Sequence, residues 1–218
     1  MLTYSDTIIF IMEILGTIAF ASSGAMLAIR KQMDILGVNV LGLTVAVGGG
    51  VIRDLTLGIT PPMTFRNPVY ACIAFVTSTG LFVLMYQRRQ LYSGAFQIWY
   101  DRIMMLCDTI GLGIFTMNGA HYASWMGYGD NMFLVVFVAV VTGVGGGIVR
   151  DVMAGEMPYI LKKHVYALPA ILGAVLYVLL HHFIADVTNM FVGTGVIVIL
   201  RLLAAKYRWN LPRISKER

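Results

Sequence analysis

The stretch Gly48-Gly49-Gly50-Val51-Ile52-Arg53-Asp54, followed by Gly58 and Pro61, returns 97 residues later. There it reads Gly145-Gly146-Gly147-Ile148-Val149-Arg150-Asp151, followed by Gly155 and Pro158. Upstream, Glu13-Ile14-Leu15-Gly16 with Phe20 and Gly24-Ala25 matches Asp108-Thr109-Ile110-Gly111 with Phe115 and Gly119-Ala120, at an offset of 95. Downstream, Val69-Tyr70-Ala71 pairs with Val165-Tyr166-Ala167. Chance can supply one glycine triplet, but an ordered series of matches at near-constant spacing marks an internal repeat.

The repeat is embedded in a very apolar chain. Of 218 residues, 58% are apolar and 12% charged, against about 45–50% and about 25% in soluble domains. So few charges cannot cover a soluble surface, which excludes a soluble enzyme or a disordered chain. Apolar runs lie near 7–29, 36–59, 67–86, 102–121, 132–155, 165–184 and 190–205. Each is long enough to cross a hydrocarbon core of about 30 Å as a helix, and too uniformly apolar for the alternating strands of a barrel. The expected fold is an all-α membrane protein with seven transmembrane helices. Each repeat copy holds three of them, an odd number, so the second copy enters the membrane from the opposite side. Two inverted three-helix repeats plus a seventh helix is an architecture of transporters and pores. The chain is expected to form one transmembrane domain over 1–218. Repeat one covers about 7–90, repeat two about 101–185, the seventh helix about 190–206, and a basic cytoplasmic tail 207–218.

Charge distribution predicts orientation. With seven spans, one side carries only Arg66 in its loops. The other carries Arg30, Lys31, Arg88, Arg89, Arg102, Lys162, Lys163 and the tail residues Lys206, Arg208, Arg213, Lys216 and Arg218. By the positive-inside rule the basic side is cytoplasmic, so the N-terminus is outside and the C-terminus inside. The net charge of +5 is read as topology, with no nucleic-acid partner, and the basic tail can also attract anionic lipid. Ala19-Phe20-Ala21 imitates a signal-peptidase site, but Asp6 and Glu13 precede it without any Lys or Arg. That is the wrong charge for a signal peptide, so this segment is read as a retained helix.

Three consecutive glycines inside a helix cost about 1 kcal/mol each relative to alanine, and they permit either a kink or close backbone approach. Two triplets at matching places in inverted repeats point to interrupted helices, the best sequence pointer to a transport site. Gly49 and Gly146 are expected near the crossing of the repeats, with helices two and five broken at the triplets. Arg53 and Arg150 each cost about 2.5–3.5 kcal/mol at mid-membrane unless paired or wetted. Glu13 lies at the depth of Arg53, and Asp108 at that of Arg150, so these acids are the expected partners. Asp54 and Asp151 project about 100° from the arginines on a helix and are expected to face another surface. Fixed ion pairs that merely hold helices together remain the alternative reading. Thr17, Ser22, Ser23, Thr44, Asn118 and Thr142 could line a polar path or bond across helices, and the four histidines read as wetted helix-end residues. Neither Cys72 nor Cys107 suggests a disulfide or zinc site. No residue set suggests catalysis, a structural metal or an organic cofactor.

The doubled G-G-G-x-x-R-D-x-x-x-G-x-x-P pattern in a seven-span chain resembles the prokaryotic branch of the trimeric intracellular cation channel (TRIC) family. The likeness runs from Glu13 to about Leu203. It implies a homotrimer in a prokaryotic inner membrane, each protomer conducting monovalent cations, chiefly potassium and also sodium. By resemblance, the pore runs between the second and fifth helices, with the backbone of Gly48, Gly49, Gly50, Gly145, Gly146 and Gly147 near the ion. Arg53, Asp54, Arg150, Asp151, Glu13 and Asp108 would flank it. Animal members carry Lys-Glu-Gly where this chain has Arg53-Asp54 after its first triplet, so their phosphoinositide role does not transfer. Some bacterial proteins with the same motif are described as glycine transporters. That keeps open a secondary transporter of glycine or another small amino acid.

Overall fold

In the computed structural model, residues 4–87, 94–162 and 165–209 are described. All regular elements among them are helical. Four long helices form the first part: α1 (Tyr4–Arg30), α2 (Ile35–Thr56), α4 (Val69–Gln87) and α5 (Gly94–Ala123), with the short α3 (Met63–Arg66) between α2 and α4. Then come a π-turn over Ser124–Tyr128, α6 (Met132–Met153), the short α7 (Tyr159–Lys162), α8 (Ala167–Leu180) and α9 (Asp186–Lys206). Six of these are long and apolar enough to span a membrane. The expected span at 165–184 is helical over only the 14 residues of α8, about 21 Å, because the polar pair His181-His182 ends its apolar run. Arg88, Arg89, Lys163, His164 and the tail from Asn210 lie outside the described residues.

The helices start and stop where local chemistry dictates. Asp34 caps α2 by accepting from Gly37 N at 2.7 Å, and Asn131 caps α6 by accepting from Leu134 N at 3.1 Å. Both motif helices end in the same left-handed glycine turn. Gly58 takes φ +76° and Gly155 φ +68°. Ile59 N then donates to Asp54 O, and Glu156 N to Asp151 O, each at 2.8 Å. This is a Schellman closure, and a Cβ at either glycine would be strained. The fourth glycine of each motif copy is therefore a helix terminator.

The two halves pack about a pseudo-two-fold axis. Phe20 and its repeat mate Phe115 stack at 5.1 Å. α1 and α5 run antiparallel: Asn118 meets Glu13, Phe115 meets Phe20, and the Tyr100 hydroxyl meets Met26 O. At α2 and α6 the exchange is reciprocal, since a Cβ on Gly49 would strike Thr142 O and one on Gly146 would strike Val45 O. Thr142 is the repeat mate of Val45.

Here the structure corrects the sequence reading. The expected breaks in helices two and five, which are α2 and α6, are absent: both are continuous through Gly48–Gly50 and Gly145–Gly147. The glycines supply missing side chains, and two unbroken backbones touch across the axis. A continuous helix also keeps these carbonyls in its own hydrogen bonds, so a break does not expose them.

Candidate functional site

Each motif arginine anchors a buried polar cluster, one toward each end of the bundle. Arg53 is 6% exposed and Asp54 fully buried. Arg53 Nε donates to Asp54 Oδ1 at 2.9 Å, and Nη1 donates to Asn118 Oδ1 on α5. Asn118 Nδ2 donates to Glu13 Oε1 at 2.7 Å, and the Tyr70 hydroxyl donates to Glu13 Oε2. The guanidinium lies 3.9 Å over the Tyr122 ring, where cation–π attraction adds to its pairing. Asp54 Oδ2 accepts from Met63 N at 2.8 Å, so the same carboxylate neutralises the arginine and tethers α3.

The Arg150 cluster repeats this plan with exchanged partners. Arg150 Nε donates to Asp151 Oδ1 at 2.8 Å, while Nη1 donates to Asp108 Oδ1 and to Ser23 Oγ, each at 2.5 Å. Asp151 Oδ2 accepts from Tyr159 N at 2.7 Å, tethering α7. Asn118 and Ser23 are repeat mates, so each arginine bonds across to the other repeat. Asp54 and Asp151 thus bind their neighbouring arginines, contrary to the expectation that they face elsewhere: a long guanidinium folds back along the helix, which the 100° spacing of the Cα atoms ignores. Glu13 reaches Arg53 only through Asn118, whereas Asp108 touches Arg150 directly.

Buried charge must be paired, or it costs several kcal/mol. The Asn118 bridge makes an expected outcome specific. Glu13→Gln and Arg53→Gln should couple by about 0.5–1.5 kcal/mol in a double-mutant cycle on thermal stability in detergent. In an Asn118→Ala background that coupling should vanish. Equal coupling with and without Asn118 would mean the two charges interact directly.

Solvent-sized space gathers at the Arg53 cluster. A cavity of about 110 Å³ is lined by Gly50, Arg53, Asn118, Tyr122, Glu13 and neighbouring residues. It shares Glu13, Asn67 and Tyr122 with an adjoining vestibule of about 660 Å³, whose wall adds Asp6, His121, Trp125 and Asp186. Asp186 lies 3.2 Å from His181 Nδ1 and 3.9 Å from His121 Nδ1, so His121 takes part in an acidic mouth and His181 stands against its Asp186. At the Arg150 cluster the cavity is only about 30 Å³, lined by Met104, Met105, Asp108, Arg150, Tyr159 and Arg201.

Of the predicted site residues, Gly50, Arg53 and Glu13 meet at the larger cavity. Gly49 and Gly146 sit at the helix crossing, and Gly48 and Gly145 lie beside it. A Cβ on Gly147 would stand 3.0 Å from the Tyr166 hydroxyl, at the Arg150 cluster. Ser23 and Asn118 bond across helices as foreseen. Thr17, Thr44 and Thr142 bond to the carbonyl four residues back in their own helices, and Thr17 also lines the cavity at the Arg53 cluster. Sequence reasoning passed over Arg201, whose signal is a lone charge inside the last apolar run. Tyr70 and Tyr166 were visible as repeat mates but carried no assigned role.

A family profile described as Glycine transporter matches this chain twice, over residues 10–86 and 105–182. The chain belongs to that family. The two matches start 95 residues apart, so the glycine transporter family profile is itself one repeat. Curated relatives include the UPF0126 membrane protein YvgT of Bacillus subtilis, 36% identical over 94% of this chain and 96% of its own length. The UPF0126 inner membrane protein YadS of Escherichia coli is 35% identical over 94% of each. Among solved structures, a TRIC cation channel is 37% identical with TM-score 0.81, covering 96% of this chain and 98% of its own. A prokaryotic TRIC channel crystallised in 0.5 M KCl is 31% identical with TM-score 0.83, covering 94% and 99%. The TRIC orthologue from Rhodobacter sphaeroides is 30% identical with TM-score 0.80, covering 92% and 98%. The resemblance drawn from the doubled motif therefore holds over nearly the whole chain, and the protein is an integral membrane protein.

Proposed function

We propose that this glycine transporter family member is a monovalent-cation channel for potassium, and also sodium, with one path per protomer of a homotrimer. The path enters through the acidic vestibule, passes Glu13 and Gly50 at the Arg53 cluster, and continues between α2 and α6. The observation that carries this reading is the vestibule itself, where Asp6, Glu13 and Asp186 surround about 660 Å³ that adjoins the cavity at Arg53. Carboxylates in a low-dielectric cleft concentrate cations, and Asp54 offsets the opposing charge of Arg53. The solved relatives named as cation channels support the same reading.

Purified protein in liposomes tests it. Expected is potassium flux with unitary currents and no saturable glycine uptake. Saturable glycine uptake without current would replace the channel with a carrier. Orientation follows from the loop charges, with the vestibule outside and the basic end of the chain in the cytoplasm. Cysteines placed at Thr3 and Lys216 in a cysteine-free background should label from opposite faces of intact cells. Labelling of both from outside would overturn that topology.

A further inference from the structure

The two arginine clusters are pseudo-equivalent, yet one opens to a vestibule and the other is nearly filled. One charged side chain at the second cluster has no counterpart at the first. α9 lies outside the repeat, so its residues have no mates in the first half, and its Arg201 reaches only the Arg150 cluster. Arg201 is 4% exposed. Its guanidinium lies 4.1 Å over the Tyr166 ring and 3.7 Å from Asp108 Oδ2, and its buried Nε has no hydrogen-bond partner. The cavity left beside it is about 30 Å³, room for about one water molecule.

The charges differ in the same sense. Arg53, Asp54 and Glu13 sum to one negative charge, which suits a cation. Arg150, Asp108 and Asp151 would sum to the same value, but Arg201 cancels it. A guanidinium in a narrow polar passage raises an electrostatic barrier to cations, and this one also occupies the space. α9 is attached to its neighbours partly through small contacts, including Gly193 against the flexible Met117 side chain and Thr194 Oγ1 at 3.5 Å from Gly113 O.

We propose that Arg201 is a barrier at the Arg150 end of the path: lodged between Asp108 and Tyr166, it closes that end, and withdrawal of its guanidinium from Asp108 opens it. The role assigned to the opening rests on the channel reading, but the barrier itself does not. A probe of access separates the two. In protein carrying Cys72→Ser and Cys107→Ser, Met104→Cys places a thiol on the small cavity and Thr64→Cys places one on the larger. Each is labelled with a charged methanethiosulfonate reagent in detergent, alongside potassium flux in liposomes.

Arg201→Gln should speed labelling at position 104 by about tenfold, leave labelling at 64 unchanged, and raise flux, because it shifts a closed–open balance at one end only. Unchanged labelling at 104 in a folded variant would overturn the proposal. Equal acceleration at both positions would do so too, since it would signal loosening of the whole bundle. Faster labelling at 104 alone, with no potassium flux from either protein, would support the barrier and overturn only the channel reading. If Arg201→Gln does not fold, Arg201→Lys decides. It keeps the charge but loses the planar stack on Tyr166, and should speed labelling at 104 by about threefold; a rate equal to that of Arg201 would overturn the proposal.

Discussion

Gly49→Ala and Gly146→Ala should each strip most of the stability from this protein, although each adds a single methyl group. A Cβ at Gly49 would fall within van der Waals contact of the Thr142 carbonyl oxygen, and one at Gly146 would do the same to Val45. The obstacle is main chain in a continuous helix, which cannot rotate aside as a side chain can. Overpacking costs about 1–3 kcal/mol where neighbours relax, and these two substitutions should sit at or above the top of that range. The neighbouring glycines provide the internal control. A Cβ on Gly48 comes no nearer than 4.0 Å to another backbone atom, and one on Gly50 meets nothing within 4 Å. Alanine at either position should be neutral or stabilise by about 0.4–1 kcal/mol through helix preference alone. Melting temperatures in detergent across the six triplet glycines should therefore show two deep minima, at the middle residue of each triplet. A uniform profile would mean that the helices do not cross at Gly49 and Gly146.

Gly50→Leu should abolish conduction in a protein that still folds. Gly50 lies one residue beyond the crossing and faces the cavity of about 110 Å³ beside Arg53. Four added carbons have room to enter there without striking the opposite helix, and once inside they displace the water a cation would use. Flux should fall by about tenfold or more, as expected of an apolar constriction that dewets a narrow passage. Gly50→Ala should retain most of the flux. Gly80→Leu, on an open face of α4 with nothing within 4 Å, should retain all of it. Normal flux through well-folded Gly50→Leu would move the path away from the Arg53 cluster. Leucine at Gly49 or Gly146 is a poor blocker for the same test, because the backbone collision removes folded protein before flux can be read.

The contrast between adjacent glycines shows how far the linear chain can be read. Membrane insertion, the helical class and the two-copy organisation follow from hydropathy and spacing, which are properties of the chain itself. The pairing of Asp108 with Arg150 was also legible, because depth along two helices can be counted from their ends. The helix-ending role of Gly58 and Gly155 is equally local: a glycine four residues after Asp54 or Asp151 needs only one turn of chain to act.

Everything that depends on which side of a helix meets which neighbour was decided by the tertiary structure. The triplets read from sequence as breaks, since three glycines weaken a helix; packing overrode that propensity, because the unbroken backbones of α2 and α6 gain contact across the axis exactly where side chains are missing. Arg53 and Asn118 are 65 residues apart, and Arg150 and Ser23 are 127 apart; no period or local motif links such partners until the two repeats are folded together. Arg201 is the sharpest case. By sequence it is one charge in the last apolar run, and only the docking of α9 against the second repeat puts it beside Asp108 and makes two pseudo-equivalent clusters unequal.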